Sequence, residues 1–147
     1  LWLNYDREGL TLSAEMFKKG KLHGKRVVFY LRNQIERGEL KILSETTYKD
    51  SLKDGPCRTF FSSERMKEAG QYSLGLKEGV WKSYRTDGTL VSITNFKHGK
   101  IHGWVVFYDS SGNITDKSLY QNGERLNETR TKVVLESLKR QGLDPND

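Results

Sequence analysis

A 24-residue period constrains this chain more than any other feature of its sequence. Tyr48, Tyr72, Phe96 and Tyr120 follow one another at steps of 24. Gly55, Gly79 and Gly103 keep that step, as do Gly75, Gly99 and Gly123, and Phe60, Tyr84 and Tyr108. A fixed period of this size marks a repeat array, in which each unit covers its apolar side against its neighbours. Each unit opens with the spacing aromatic-x-x-Gly-x-x-x-Gly. The copies are FKKGKLHG from Phe17, YKDSLKDG from Tyr48, YSLGLKEG from Tyr72 and FKHGKIHG from Phe96. YQNGERLN from Tyr120 closes the series with Asn127 in the last glycine's place, and Asn tolerates left-handed backbone.

Within a unit, Val80 to Tyr84 reads as a strand and Arg85-Thr86-Asp87-Gly88 as a tight turn. Asp-Gly between apolar runs is a strong hairpin signal. Thr89 to Phe96, rich in β-branched residues, reads as the second strand. The seven-residue segment ending in Gly-x-x-x-Gly reads as the longer turn that closes the unit. Trp104 to Tyr120 divides in the same way, and so does the chain's beginning from Tyr5 to Phe17. Composition supports this, with 14 Gly but only two Pro and two Ala. Ala is the best helix former, so its scarcity argues against a helical bundle. The expected fold is all-β: an elongated, twisted antiparallel sheet of about five hairpins over residues 1–126. Residues 127–147 belong to the same domain. Thr129 to Gln141 has helical spacing, with Val134, Leu135 and Leu138 apolar, Asn127 as its cap and Gly142 as its stop. This helix is expected to cap the last strand edge.

One unit departs from the period. Gly24 to Gly55 spans 31 residues, and most of the excess lies between Tyr30 and Tyr48. The excess holds Gln34, Ile35, Glu36, Arg37 and Gly38. Insertions in arrays gather on one side, often the binding side. Ile35, Glu36 and Arg37 are therefore candidate partner contacts, against the plainer reading of a longer hairpin.

Gly99-Lys100-Ile101-His102-Gly103-Trp104, with Tyr108 and Gly112 following, resembles the MORN repeat in its bacterial variant form. Gly20 to Gly24 is close to it, while Ser51, Pro56, Cys57 and Glu64 make the second copy degenerate. The likeness covers about residues 2 to 126. It implies a sheet of stacked β-hairpins that works by binding. Many stand-alone bacterial members of this size are classed as antitoxins or immunity proteins, and other MORN arrays are attached to enzymes or were proposed to hold membrane lipids.

No catalytic constellation stands out in the sequence, and no catalytic residue, cofactor or metal is assigned. Gly20 to Lys25 is one residue too short for a phosphate loop and lacks its Ser/Thr. His23, His98 and His102 all fall in the long turns, spread across the array and without ligand partners at zinc spacing. The chain is expected not to be an enzyme. Cys57, the single cysteine, has no partner for a disulfide. No apolar run approaches the length of a membrane span. The chain starts at Leu1 rather than Met, which slightly favours a processed, periplasmic protein.

The charge is more directive. The net charge is +6, and the long turns hold most of it. They contain Lys18, Lys19, Lys21, Lys49, Lys53, Lys77, Lys97, Lys100 and Arg125 against Asp50, Asp54, Glu78 and Glu124. Stacked in register, these turns form one basic edge. Lys21, Lys77, Lys97 and Lys100 are its candidate partner-binding residues. Trp81 and Trp104 lie two and one residues after their glycines and so face opposite sides of the sheet. An exposed one would be a binding anchor. The periodic aromatics are read as packing between hairpins. The expected function is neutralisation of a cognate toxin or effector with an acidic surface, through the concave face and the basic edge. The competing reading is a module on anionic lipid or a scaffold. A nucleic-acid partner is disfavoured, since the aromatics are committed to packing and no reading helix exists.

Overall fold

The computed structural model describes residues 1–31 and 40–147. Ile35, Glu36 and Arg37, and with them the heart of the insertion, lie outside the described residues. The strands are β1 (Trp2–Tyr5), β2 (Thr11–Glu15), β3 (Phe17–Lys18), β4 (Lys21–Leu22), β5 (Gly24–Phe29), β6 (Ile42–Lys49) and β7 (Leu52–Phe60). They continue as β8 (Met66–Ser73), β9 (Leu76–Tyr84), β10 (Leu90–Lys97), β11 (Lys100–Tyr108), β12 (Ile114–Gln121) and β13 (Glu124–Arg125). A helix, α1 (Glu128–Gln141), follows. Among the described residues, 11 strands form one open antiparallel sheet in the order β1-β2-β5-β6-β7-β8-β9-β10-β11-β12-β13. β3 and β4 pair apart from it. The fold is the all-β hairpin array with a terminal helix that the period implies.

The register explains the period. Gly24 stands opposite Tyr48, Gly55 opposite Tyr72, Gly79 opposite Phe96 and Gly103 opposite Tyr120. An aromatic across from glycine covers backbone that has no side chain of its own. On the hairpin's other side the same glycine sits in a bulge. Thr94 pairs with Val105 and Phe96 with Ile101, so His102, Gly103 and Trp104 stand against Asn95 alone. The backbone at Gly103 has φ +83°, a conformation that L side chains disfavour. Equivalent shifts occur beside Thr47 and Gly70. A bulge of this kind bends its strand and increases the local twist.

The two kinds of turn are the reverse of the sequence expectation. The Gly-x-x-x-Gly segment is not a long turn. Ser73 pairs with Leu76 around Leu74 (φ 49°) and Gly75 (φ 86°), a two-residue hairpin of the I′ kind. Lys19, Asp50, His98 and Asn122 hold the same left-handed position in their tips. The Asp-Gly segments are instead the wider loops, with Gly88 N–H donating to Arg85 O and Arg85 N–H to Thr89 O. The motif misleads because Leu and Lys are poor turn formers by type. Their conformation is imposed by the stacking of neighbouring tips.

That stacking repeats with the period. Gly75 N–H donates to Lys53 O at 2.7 Å, Gly99 N–H to Lys77 O at 2.9 Å and Gly123 N–H to Ile101 O at 2.8 Å. Ser51 N–H does likewise to Leu22 O. At the opposite edge, side chains reach between loops. Tyr30 Oη donates to Phe60 O, Arg65 to Thr86 O, and Arg85 to Tyr108 O at 2.6 Å and Asp109 O at 3.3 Å.

Two of these loops carry an acid-sensitive element. The Thr89 hydroxyl, then its backbone N–H, holds the Asp87 carboxyl below the usual carboxylate range. The Asn113 side chain, then its N–H, does the same for Asp109. Lowered folded values mean that both contributions are present at neutral pH and are lost as pH falls through them. The Thr89 and Asn113 amides are expected to lose exchange protection on acidification below about pH 4. Asp87→Asn and Asp109→Asn, which keep an acceptor but do not titrate, should flatten that response.

The core is thin and lies on both faces. On one face Trp81, only 4% exposed, meets Tyr72 at 5.2 Å and Phe96 at 6.2 Å, both edge-on. Edge-to-face rings at these separations attract beyond their buried area. The ring lies over Gly70, where a Cβ would overlap Trp81 Cγ, Cδ2 and Cε2. On the other face Val106 and Leu119 are buried, with Leu126 closing the chain's approach to α1. Asn127 Oδ1 accepts from Arg130 N–H at 2.9 Å to cap that helix, and Gly142 ends it in the left-handed region. Beyond it the tail returns to the sheet. Asn146 Oδ1 accepts from Trp104 N–H at 3.0 Å, and Asn146 O accepts from Asn95 Nδ2 at 3.3 Å.

Candidate binding surface

The hairpin tips carry the charge, as the turn sequences imply, but the structure divides it. Lys77 lies 3.8 Å over the Trp81 ring and 5.1 Å from Phe96, and pairs with Glu68 at 3.4 Å. Lys53 lies 4.8 Å over Tyr72. Both belong to the aromatic face. A desolvated cation over a ring contributes stability there of roughly 1–2 kcal/mol. Lys77 is thus a packing residue first.

Lys18, Lys19, Lys21, Lys49, Lys97 and Lys100 remain exposed. None has an ion-pair partner among the described residues. Lys18, Lys19, Lys21 and Lys49 line an open groove of about 390 Å³ between the first two tips, with His23 and Asp50. Two of the four tip acids are turned toward the neighbouring tip, whereas Asp50 and Glu124 stay exposed. Asp54 accepts from Leu74 N–H at 3.4 Å, and Glu78 from His98 N–H at 2.8 Å. Asp50 faces His23 at 3.8 Å. Asp54 and Glu78 hold the stack while six tip lysines face solvent, so cations predominate on the exposed edge.

One histidine shares that structural post. His102 Nδ1 accepts from Asn122 N–H at 3.4 Å, in the position Asp54 and Glu78 occupy in their tips. Among the described residues, no His, Cys, Asp and Glu side chains gather as a group of three or more that could hold a metal.

The two tryptophans do lie on opposite faces, since Trp81 pairs with Thr94 and Trp104 with Leu119. Trp81 is not an exposed anchor. Gly70 admits its ring, and its Nε1–H donates to Gln71 O at 3.2 Å. Trp104 is half-buried, with Lys117 4.2 Å over its ring and the tail at its backbone. The structure therefore brings Lys21, Lys97 and Lys100 to the outer edge and separates them from Lys77 and both tryptophans.

Sequence reading missed the residues beside those lysines. Leu52, Leu74 and Leu76 are 50%, 71% and 49% exposed. They occupy the second and third tips, between the lysine-bearing first and fourth. The sequence places these leucines inside the segments read as long turns and gives no sign that they stand exposed; the left-handed φ of Leu74 appears only in the structure.

Among the described residues no helix is long and apolar enough to cross a membrane. No curated protein matches the chain. Residues 77–98, which run from the first strand of one hairpin pair to the tip of the next, match the family described as the MORN repeat variant, so the chain carries at least one MORN-type repeat within an array of the same geometry.

Proposed function

We propose that the protein is a non-catalytic binding protein. It engages another protein through the hairpin-tip edge and neutralises it by direct contact. The partner is a cognate bacterial toxin or secreted effector with an acidic surface. One observation carries this reading: Lys18, Lys19, Lys21, Lys49, Lys97 and Lys100 stand exposed without an ion-pair partner among the described residues, while Asp54 and Glu78 accept backbone N–H bonds inside the stack. A predominantly basic edge speeds encounter with an oppositely charged partner and disfavours others. The MORN repeat is compatible with that role.

The test is co-expression with the product of the adjacent gene. A stable complex, and relief of any growth arrest that product causes, are expected. If no complex forms and growth is not restored, the toxin reading is withdrawn. The same row of lysines also favours a second reading, docking on anionic lipid. Flotation with anionic vesicles separates the two, since salt-sensitive vesicle binding without a protein partner would support the lipid module.

A further inference from the structure

Two local choices at the tips work against the fold. Leu74 holds φ 49° while being 71% exposed. A bulky side chain in the left-handed region is a strained exception. Asn at the first turn position, followed by Gly75, would suit a I′ turn far better. Asn122-Gly123 shows that this chain uses that solution elsewhere.

The second choice is like charge across a hairpin. Lys18 pairs directly with Lys21 in the first tip, and Lys97 with Lys100 in the fourth. Like charges directly opposite one another destabilise a pair of strands. Between them, Leu52 pairs with Lys49 and Leu76 with Ser73. Leu52 lies 3.7 Å, and Leu76 3.2 Å, from where a Cβ would stand on Gly75 and Gly99 of the next tips. The edge thus reads lysine pair, leucines, lysine pair. Local rules broken together in one place point to a demand other than stability.

We infer that Leu52, Leu74 and Leu76 form the apolar centre of a protein-binding surface, rimmed by the Lys18–Lys21 and Lys97–Lys100 pairs. It fits a partner segment that carries an apolar side chain flanked by carboxylates. This arrangement of apolar centre and charged rim is the anatomy of a protein interface. Of the acids in these two tips, Asp54 and Glu78 accept from Leu74 N–H and His98 N–H, and Asp50 faces His23 of the first tip. The inference rests on the protein-binding reading above and names the surface and the chemistry that the partner must present.

The experiment selects a random phage-displayed peptide library on the immobilised protein and measures the enriched peptides, synthesised, against variants. Expected peptides carry Leu, Phe or Trp beside Asp or Glu. Leu74→Asn should weaken them by about tenfold or more, while raising the melting temperature by roughly 3 °C. Lys97→Glu should also weaken them and reduce the salt dependence, again without loss of stability. A residue with only a structural role would lower both readouts together. If enriched peptides, or the adjacent gene's product, bind wild type and Leu74→Asn equally, the surface is wrong and the protein-binding reading stands. If wild type enriches no peptide and joins no such product, both fail. If vesicles containing phosphatidylglycerol bind wild type and Leu74→Asn alike while no peptide is retained, the edge is a lipid surface and the inference is overturned.

Discussion

Gly70→Ala is expected to be among the most damaging single changes in this protein, although it adds one methyl group. The added Cβ would overlap the buried Trp81 ring at three of its carbons. That ring is held by Tyr72 and Phe96 at its edges, by Lys77 above, and by a hydrogen bond to Gln71 O. It has no free direction in which to retreat. Overpacking of this kind costs about 3 kcal/mol. Deleting the ring with Trp81→Ala costs a comparable amount, roughly 3–5 kcal/mol, by leaving a void. The informative measurement is the double variant Gly70→Ala with Trp81→Leu in chemical denaturation. The smaller side chain makes room for the methyl group, so the combined loss should fall below the sum of the single losses. Simple additivity would mean that the two residues do not share the site.

Gly103→Ala should come next, through a different mechanism. Its backbone has φ +83°, which costs a non-glycine residue about 1–2 kcal/mol. Its Cβ would also overlap Asn146 Oδ1 and come within 2.9 Å of Asn146 Cα and Pro145 O. The tail must therefore leave, giving up its bonds to Trp104 N–H and Asn95 Nδ2. A total loss of about 3 kcal/mol is expected, with the sheet intact and residues 143–147 open to carboxypeptidase. Asn146→Ala should release the tail for only about 1 kcal/mol. If Gly103→Ala leaves the tail protected, the tail is not seated on that glycine.

The period made the fold legible because it fixes which residues meet. Tyr72, Phe96 and Tyr120 face Gly55, Gly79 and Gly103 across their strands, a relation written directly in the spacing. The helix was equally readable, since Asn127 and Gly142 are local signals that need no tertiary partner. What escaped depends on neighbours. The parity of Trp81 and Trp104 placed them on opposite faces but could not say which was buried. Gly70 decides that, and it has no place in the motif. Lys77 looked like its fellow tip lysines, yet the Trp81 ring draws it onto the face. The tip turns were mistaken for long ones because the left-handed state of Leu74 comes from the stack.

The bonds between hairpins also have a direction. At the tips, backbone donors on later hairpins reach back to backbone acceptors on earlier ones, as from Gly99 N–H to Lys77 O, while Leu22 N–H donates forward to the Ser51 hydroxyl. At the loops, donors on earlier hairpins reach forward, as from Arg85 to Tyr108 O. A ribosome needs about 1–5 s to deliver 24 residues, whereas a hairpin closes in roughly 1–10 μs. Each newly emerged hairpin can therefore dock on a finished acceptor at one edge and be grasped by a waiting arginine or tyrosine at the other. The array can grow by accretion during synthesis, each unit serving as the template for the next.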